Sequence, residues 1–169
     1  MPIVFSSGSI TAPTKIIQVQ STRYTGVHSA SGNWSTVSGL NCSITPKSSS
    51  HKILVMLHVG GGFYGANTMT YDLLRNGSSF YIGDADGSRD RVSHRTDGRK
   101  SGDNNHMFGI FIQAVDSPST TSSVTYGVRI TGEGRNQQMY INREGNSNDQ
   151  SDPAQARTAS TMTLLEFVP

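Results

Sequence analysis

The sequence lacks the features that would place the protein in a membrane or staple it with disulfides. It contains one cysteine, Cys42, so no disulfide can form within a single chain. No apolar run approaches the roughly 20 residues that a membrane-spanning helix requires. Residues 1–9 do not show a basic segment ahead of an apolar one, which is the pattern of a secretion signal. We therefore expect a protein that is made in a cytoplasm and crosses no membrane.

Charge of one sign is also scarce. Lys and Arg number 14 against 12 Asp and Glu, which leaves a net charge of +2. The densest basic group alternates with aspartates and comprises Arg89, Arg91, Arg95, Arg99 and Lys100. Sequence-independent binding to nucleic acid needs clustered Lys and Arg that neutralise phosphates. The sequence therefore predicts no nucleic-acid partner.

What the sequence has in quantity is the residues of strands and turns. Charged residues make up only 15% of the 169 residues, and glycine occurs 18 times. This composition is typical of many short strands and turns. Together with the strand pattern along the chain it predicts an all-β fold: an antiparallel β-sandwich of about ten strands without a substantial helix. The length predicts one domain, which we assign to residues 15–169. Residues 1–14 show no periodicity, and we interpret them as an extended N-terminal arm.

Alternation of apolar and polar side chains marks the strands. It is clearest over residues 124–131, where Val, Tyr, Val and Ile occupy every second position. The dipeptide Asn76-Gly77 tolerates positive φ and predicts a two-residue hairpin turn. The predicted strands are residues 15–24, 40–45, 52–59, 69–74, 79–82, 106–115, 123–131, 138–142 and 158–168.

Three segments are predicted to be loops. Residues 27–38 contain Trp34, the only tryptophan, which we expect to plug one end of the core. Residues 83–105 and 143–157 are polar and without periodicity. Long ordered loops often carry function, so these two are candidate binding segments.

The strand predicted at residues 52–59 is apolar on both faces. Ile53, Val55, Leu57 and Val59 alternate with Leu54, Met56 and His58. In an antiparallel sandwich one face of each sheet normally meets water. A strand that is apolar on both faces therefore needs another protein surface packed against its outer face. We expect a neighbouring subunit to supply it.

The polar residues form no pattern that predicts catalysis. The candidate calcium ligands are Asp84, Asp86 and Asp90, but their glycine is misplaced for an EF-hand and no bidentate glutamate follows. A plain Asp/Gly turn is the alternative. The five histidines lack metal-binding spacing, and no Gly-x-Ser-x-Gly motif is present. We expect no enzymatic activity and no cofactor.

Four phrases carry a resemblance to a known family. The first, at 39–55, is Gly-Leu followed by a short strand, then Thr-Pro-Lys-Ser-Ser-Ser and Lys-Ile-Leu-Val. The other three are Leu-Leu-Arg-Asn-Gly at 73–77, Ile-Asn-Arg at 141–143 and Ser-Thr-Met-Thr-Leu-Leu-Glu at 160–166. In these phrases the chain resembles virion proteins of tailed bacteriophages, cyanophages especially, over residues 15–169. The resemblance implies a tumour necrosis factor-like or complement-head-like jelly roll that assembles as a homotrimer through one sheet.

The resemblance also implies which strands face the trimer axis. By strand order they are residues 15–24, 52–59, 123–131 and 158–168. The interface residues expected from this order are Leu54, Met56, His58, Arg129 and Leu165.

Two functions are open for such a scaffold. The first is a capsid decoration or cement protein that stabilises the head lattice and contacts the major capsid protein, with Ile3, Val4 and Phe5 as the capsid contact. The second is the receptor-binding head of a tail fibre that recognises a host-surface glycan or protein. A fibre head normally follows a long shaft, whereas fourteen residues precede the first predicted strand. The sequence therefore favours decoration, with the protein on the capsid surface of the virion.

Overall fold

The computed structural model describes residues 15–64, 68–97, 107–132, 138–145, 151 and 155–169. These residues form twelve strands and one short 3₁₀ helix, Ser38–Leu40. The strands are β1 (Ile16–Tyr24), β2 (His28–Ser31), β3 (Ser35–Thr36), β4 (Cys42–Ile44), β5 (Lys52–Tyr64), β6 (Thr68–Arg75), β7 (Ser78–Ser79), β8 (His94–Asp97), β9 (Met107–Asp116), β10 (Val124–Gly132), β11 (Gln138–Ile141) and β12 (Ser160–Phe167). The prediction of an antiparallel all-β fold is confirmed.

The first sheet is built around the long strand β5. The strand β12 pairs with residues 52–58 of β5, and β1 pairs with the far side of β12. The strand β9 pairs with the opposite edge of β5. Beyond the residues of β5 that pair with β12, the strand β11 pairs with residues 61–64 of β5, and β2 pairs with β11. Four strands thus lie side by side in the order β1-β12-β5-β9.

The second sheet centres on β10 and β6, which pair over residues 126–132 of β10. The short strands β3 and β4 pair with the other edge of β10. The strands β7 and β8 pair with the other edge of β6. Between β6 and β7, Asn76 and Gly77 have φ values of 49° and 82°. These positive values confirm the predicted hairpin turn, because two-residue turns of this kind need positive φ at both positions.

The core lies between the two sheets. From β5, Ile53, Val55 and Leu57 are fully buried, and Val128 and Ile130 of β10 meet them from the other sheet. Cys42 is a small core residue in the same cluster. The result is a jelly-roll-like sandwich in which one face of each sheet is left outside. Among the described residues no helix is long and apolar enough to cross a membrane.

Two of the predicted loops were wrong in part. Residues 27–38 contain β2, β3 and the first residue of the 3₁₀ helix, and residues 83–105 contain β8. These strands are short and polar, and each pairs at a sheet edge through its backbone. A strand that is held by backbone pairing needs no apolar alternation, so its sequence carries no two-residue period.

Candidate functional site

The outer face of the first sheet carries a row of apolar side chains across four strands. Val19 of β1 stands opposite Leu165 of β12, Leu165 opposite Leu54 of β5, and Leu54 opposite Val115 of β9. Residues paired in this way project from the same side of a sheet. The row is therefore continuous from one edge of the four strands to the other.

Further apolar residues flank this row. We call the set the apolar sheet face; its members are Ile16, Val19, Leu54, Met56, Phe111, Val115, Leu165 and Phe167. Four of them are more than half exposed: Ile16 (56%), Val19 (53%), Phe111 (60%) and Val115 (55%). Single exposed apolar residues are ordinary, but a contiguous exposed patch marks an interaction site. The outside of the first sheet thus carries an apolar row from Val19 to Val115, with Met56 beside it between the polar Gln113 and Thr163.

The structure brings together four of the five predicted interface residues. Leu54, Met56, His58 and Leu165 all project from the outer side of β5 or β12, where Leu54 and Met56 are half-buried and His58 is exposed.

The assignment of Arg129, and with it residues 123–131, to that sheet was wrong. The strand β10 pairs with β6 in the second sheet, so Arg129 lies on the opposite side of the sandwich. Alternation within a strand identifies its two faces but not the sheet to which it belongs.

Other predicted residues do not form a site among the described residues. The capsid-contact residues Ile3, Val4 and Phe5 lie outside the described ranges. Within those ranges no group of three or more His, Cys, Asp or Glu side chains could hold a metal ion. Asp86 pairs instead with the guanidinium of Arg89 at 2.7 Å. The Asp84, Asp86 and Asp90 segment therefore fits the alternative of an Asp/Gly turn.

A groove of about 720 Å³ lies on the outer face of the second sheet. We call it the Trp34 groove; its lining is Gly32, Asn33, Trp34, Thr68, Thr70, Arg89, Asp90, Val92, Arg95, Thr131 and Gly132. Thr131 of β10, Thr70 of β6 and Arg95 of β8 stand opposite one another in register. They form the floor, because Ile130 and Tyr71 beside them point into the core.

Trp34 is not the core plug that the sequence predicted. Its side chain is 40% exposed, and the guanidinium of Arg129 lies 4.3 Å from the ring centroid. Arg129 is fixed in turn by Asp72, which accepts hydrogen bonds from its Nε (3.1 Å) and Nη2 (2.7 Å). Ser79 donates to the same carboxylate oxygen. The exposure of Trp34 could have been inferred from its neighbours in sequence. They are polar and show no apolar alternation, so they predict no strand face that would bury Trp34.

Glu166 forms a second buried polar network that sequence reasoning missed. Its side chain is fully buried at the end of β12. Its Oε1 accepts hydrogen bonds at 2.6 Å from His51 Nδ1 and from the backbone N–H of Lys47, and its Oε2 accepts one from Gln18. Burial alone would raise the pKa of Glu166, but these hydrogen bonds and the charge of His51 outweigh it and lower the pKa. The carboxylate ties β1, the turn before β5 and β12 together.

This network predicts acid sensitivity. The pKa of Glu166 is lower in the folded chain than its ordinary value of 4.5, so its stabilising contribution is complete above 4.5 and is lost as the pH falls through the folded value. At neutral pH, Glu166→Gln should lower the free energy of unfolding by about 1.5–3 kcal/mol. Urea titrations from neutral to acidic pH should show the difference between wild type and variant shrinking below pH 4.5.

The matched control is Asp84→Asn at an exposed loop position. It should change the free energy of unfolding by less than about 0.5 kcal/mol at every pH. A Glu166→Gln deficit that stays constant down to strongly acidic pH would contradict the assignment of the acid-sensitive group.

Comparison with known proteins gives no family for this chain. No protein-family model matches it, and no curated protein matches it significantly. Its function must therefore be argued from the two outer faces of the sandwich.

Proposed function

We propose that this protein is a non-enzymatic structural virion protein that assembles as a homotrimer and decorates the capsid. The observation that carries the proposal is the apolar sheet face. This patch crosses four strands, and Val19 and Val115 at its two ends are more than half exposed. In water, such a patch is normally shielded by contact with another protein surface. Closed rotational symmetry provides that cover with copies of the same surface and leaves no patch open.

The free energy of burying the apolar sheet face supports assembly. Burying a large apolar side chain contributes about 1.5–3 kcal/mol. Association costs about 4–15 kcal/mol in lost freedom of motion. The members of the apolar sheet face are already partly buried in the single chain, so each gains only part of that amount. Summed over the eight side chains, the gain is of the same order as the cost of association. The charged residues in register with them, Lys52 and Arg23, lie at its margins.

The capsid part of the proposal is supported by the resemblance to phage virion proteins. In this proposal the partner is the major capsid protein, and Ile3, Val4 and Phe5 of residues 1–14 make the contact. Three copies of such an arm on one trimer bind a symmetric lattice with avidity, so a contact that is weak for one arm becomes durable for three.

Cryo-electron microscopy of purified particles tests this proposal. The chain should account for density on the head, and deletion of residues 2–12 should remove that density while the purified protein stays trimeric. The matched control replaces Ser6, Ser7 and Ser9 by alanine, which keeps the apolar residues and should leave occupancy unchanged. Wild-type occupancy after the deletion, or density at the tail tip, would overturn capsid decoration.

A second candidate function is the receptor-binding head of a tail fibre that recognises a host-surface glycan or protein. The observation that favours it is the Trp34 groove, an exposed pocket with an aromatic wall on the sheet opposite the apolar sheet face. Binding of the purified protein to host cells, with density at the tail tip, would support this candidate over the first.

A further inference from the structure

The Trp34 groove has the dimensions of a small-molecule site. Its volume of about 720 Å³ falls within the range of about 300–1,000 Å³ that is typical of ligand pockets. Its floor lies on three paired strands, β10, β6 and β8, which hold their side chains in fixed register. Because a site on paired strands is more rigid than a site made by loops alone, a ligand that enters the groove meets a floor that is already in place.

Trp34 gives the groove an apolar wall whose ring is held by neighbouring side chains. The Arg129 guanidinium stacks over the indole ring at 4.3 Å, and the buried carboxylate of Asp72 holds Arg129. Arg129 is not a lining residue, so the groove meets the part of the ring that Arg129 leaves uncovered. An aromatic ring that is fixed in this way offers a large apolar surface at low entropic cost.

The positive charges of the lining are already engaged. Arg89 forms an ion pair with Asp86 at 2.7 Å, and Arg95 also has an interaction partner. The exposed carboxylate of Asp90 differs, because no hydrogen bond or ion pair joins it to another of the described residues. The described lining therefore offers a free acceptor but no spare cation. This disfavours anionic ligands, including nucleic acid, whose phosphates need a positively charged track.

The remaining polar groups of the lining suit hydroxyls. Thr70 and Thr131 stand opposite each other on the floor, and each carries a hydroxyl that can both donate and accept a hydrogen bond. The side-chain amide of the exposed Asn33 adds a donor and an acceptor, and Asp90 adds an acceptor. These uncharged groups, with one carboxylate beside them, fit a ligand that presents several O–H groups.

A sugar ring combines hydroxyls around its edge with an apolar C–H surface on its face. We propose that the Trp34 groove binds a neutral saccharide, with the C–H face of the ring against Trp34 and its hydroxyls at Asp90, Thr70 and Thr131. This inference goes beyond capsid decoration, because it needs neither a trimer nor a capsid contact, and it gives the receptor-binding alternative a ligand class. The groove and the apolar sheet face lie on opposite sheets, so the groove stays open when other subunits cover the apolar sheet face.

Trp34 makes the experiment specific, because it is the only tryptophan in the chain and lines the groove. Its fluorescence should change saturably when the full-length protein is titrated with at least one of glucose, galactose, mannose and N-acetylglucosamine. Glycerol, a polyol without a ring, should give no saturable change over the same range. Glucuronate and galacturonate carry a carboxylate in place of the hydroxymethyl group of glucose and galactose, and they should bind no more tightly than these neutral sugars. Isothermal titration calorimetry of the same mixtures detects a sugar that binds without changing the fluorescence.

Two variants keep the fluorophore and test the polar contacts. Asp90→Ala should weaken binding of the neutral sugar about tenfold, because a hydrogen bond to a charged acceptor is lost. Thr70→Val keeps the shape of the side chain but removes its hydroxyl, and it should weaken binding about fivefold. The matched controls are Asp84→Ala and Thr125→Val, which remove the same groups from the same loop and the same sheet outside the lining, and both should bind like wild type.

Each other outcome overturns the proposal. If none of the four neutral sugars gives a saturable response in fluorescence or calorimetry, the groove is not a saccharide site. Tighter binding of the acidic sugars would mean that the groove selects a negative charge. A saturable response to glycerol, or unchanged affinity in both Asp90→Ala and Thr70→Val, would remove the role assigned to the ring or to the lining. None of these results bears on trimer mass or capsid occupancy, so the two proposals fail independently.

Discussion

Replacing Arg129 by methionine should lower the free energy of unfolding by about 3 kcal/mol, the lower end of the range for breaking a buried ion pair. Asp72 is 1% exposed, and its Oδ2 accepts both hydrogen bonds that Arg129 donates to it. The other oxygen, Oδ1, is buried and has no hydrogen-bond partner among the described residues, so without Arg129 only the hydroxyl of Ser79 still donates to Asp72. The Arg129 side chain is 32% exposed, and the water that reaches it places the expected effect at the low end. Chemical denaturation at neutral pH measures the loss.

The double variant Arg129→Met with Asp72→Asn separates the buried charge from the lost packing. Removing the carboxylate as well as the guanidinium should recover at least half of the loss, because no charge is then stranded in the interior. The matched control is Lys47→Met at an exposed position of the turn between β4 and β5, with an expected change below about 0.5 kcal/mol. If Arg129→Met proves as neutral as this control, the Asp72–Arg129 pair does not support the second sheet.

Val115→Asp should dissociate the proposed homotrimer of three 18.2 kDa chains into single chains, and Leu54→Asp should do the same. A charge that becomes buried at an interface without a partner costs several kcal/mol. Val115 is 55% exposed, so an aspartate there has water in the monomer and should leave the fold intact. Leu54 lies in the middle of the row between Leu165 and Val115, where the loss of contact is greatest. Light scattering coupled to size exclusion measures the mass, and circular dichroism checks the fold.

Thr36→Asp is the matched control for dissociation. This exposed position lies on β3 of the second sheet, away from the apolar sheet face, and its variant should remain trimeric. Wild-type protein that runs as a monomer at micromolar concentration, or a Val115→Asp variant that keeps the wild-type mass, would refute assembly through this face.

The phrases that carry the resemblance to virion proteins turn out to be structural connections. The Thr-Pro-Lys-Ser-Ser-Ser-His turn and the final Thr-Leu-Leu-Glu meet at Glu166, which accepts hydrogen bonds from Lys47 and His51. In Ile-Asn-Arg, the buried Asn142 donates from its Nδ2 to the carbonyls of Tyr24 and Gly26. The phrases therefore carry information about the fold. They say less about the function, which depends on residues outside them.

The part of the candidate site that could be predicted lies within single strands. The two-residue period separates Ile53, Val55 and Leu57 from Leu54 and Met56 without any knowledge of neighbours, because alternation is a property of the strand itself. An apolar second face in β5 was thus visible, and with it the expectation of a cover. Neither the Trp34 groove nor the placement of Arg129 was visible in this way.

The sequence by itself determined the strand character, the hairpin at Asn76-Gly77 and the two apolar faces of β5, since each follows from local backbone preference and side-chain order. Only the tertiary structure decided that β10 pairs with β6 rather than with β5, which moved Arg129 to the opposite sheet and beneath Trp34. Only the tertiary structure aligned Val19, Leu165, Leu54 and Val115 into one row. The physical reason is that pairing between strands distant in sequence is selected by the packing of the whole sandwich, and no local pattern encodes which strands become neighbours.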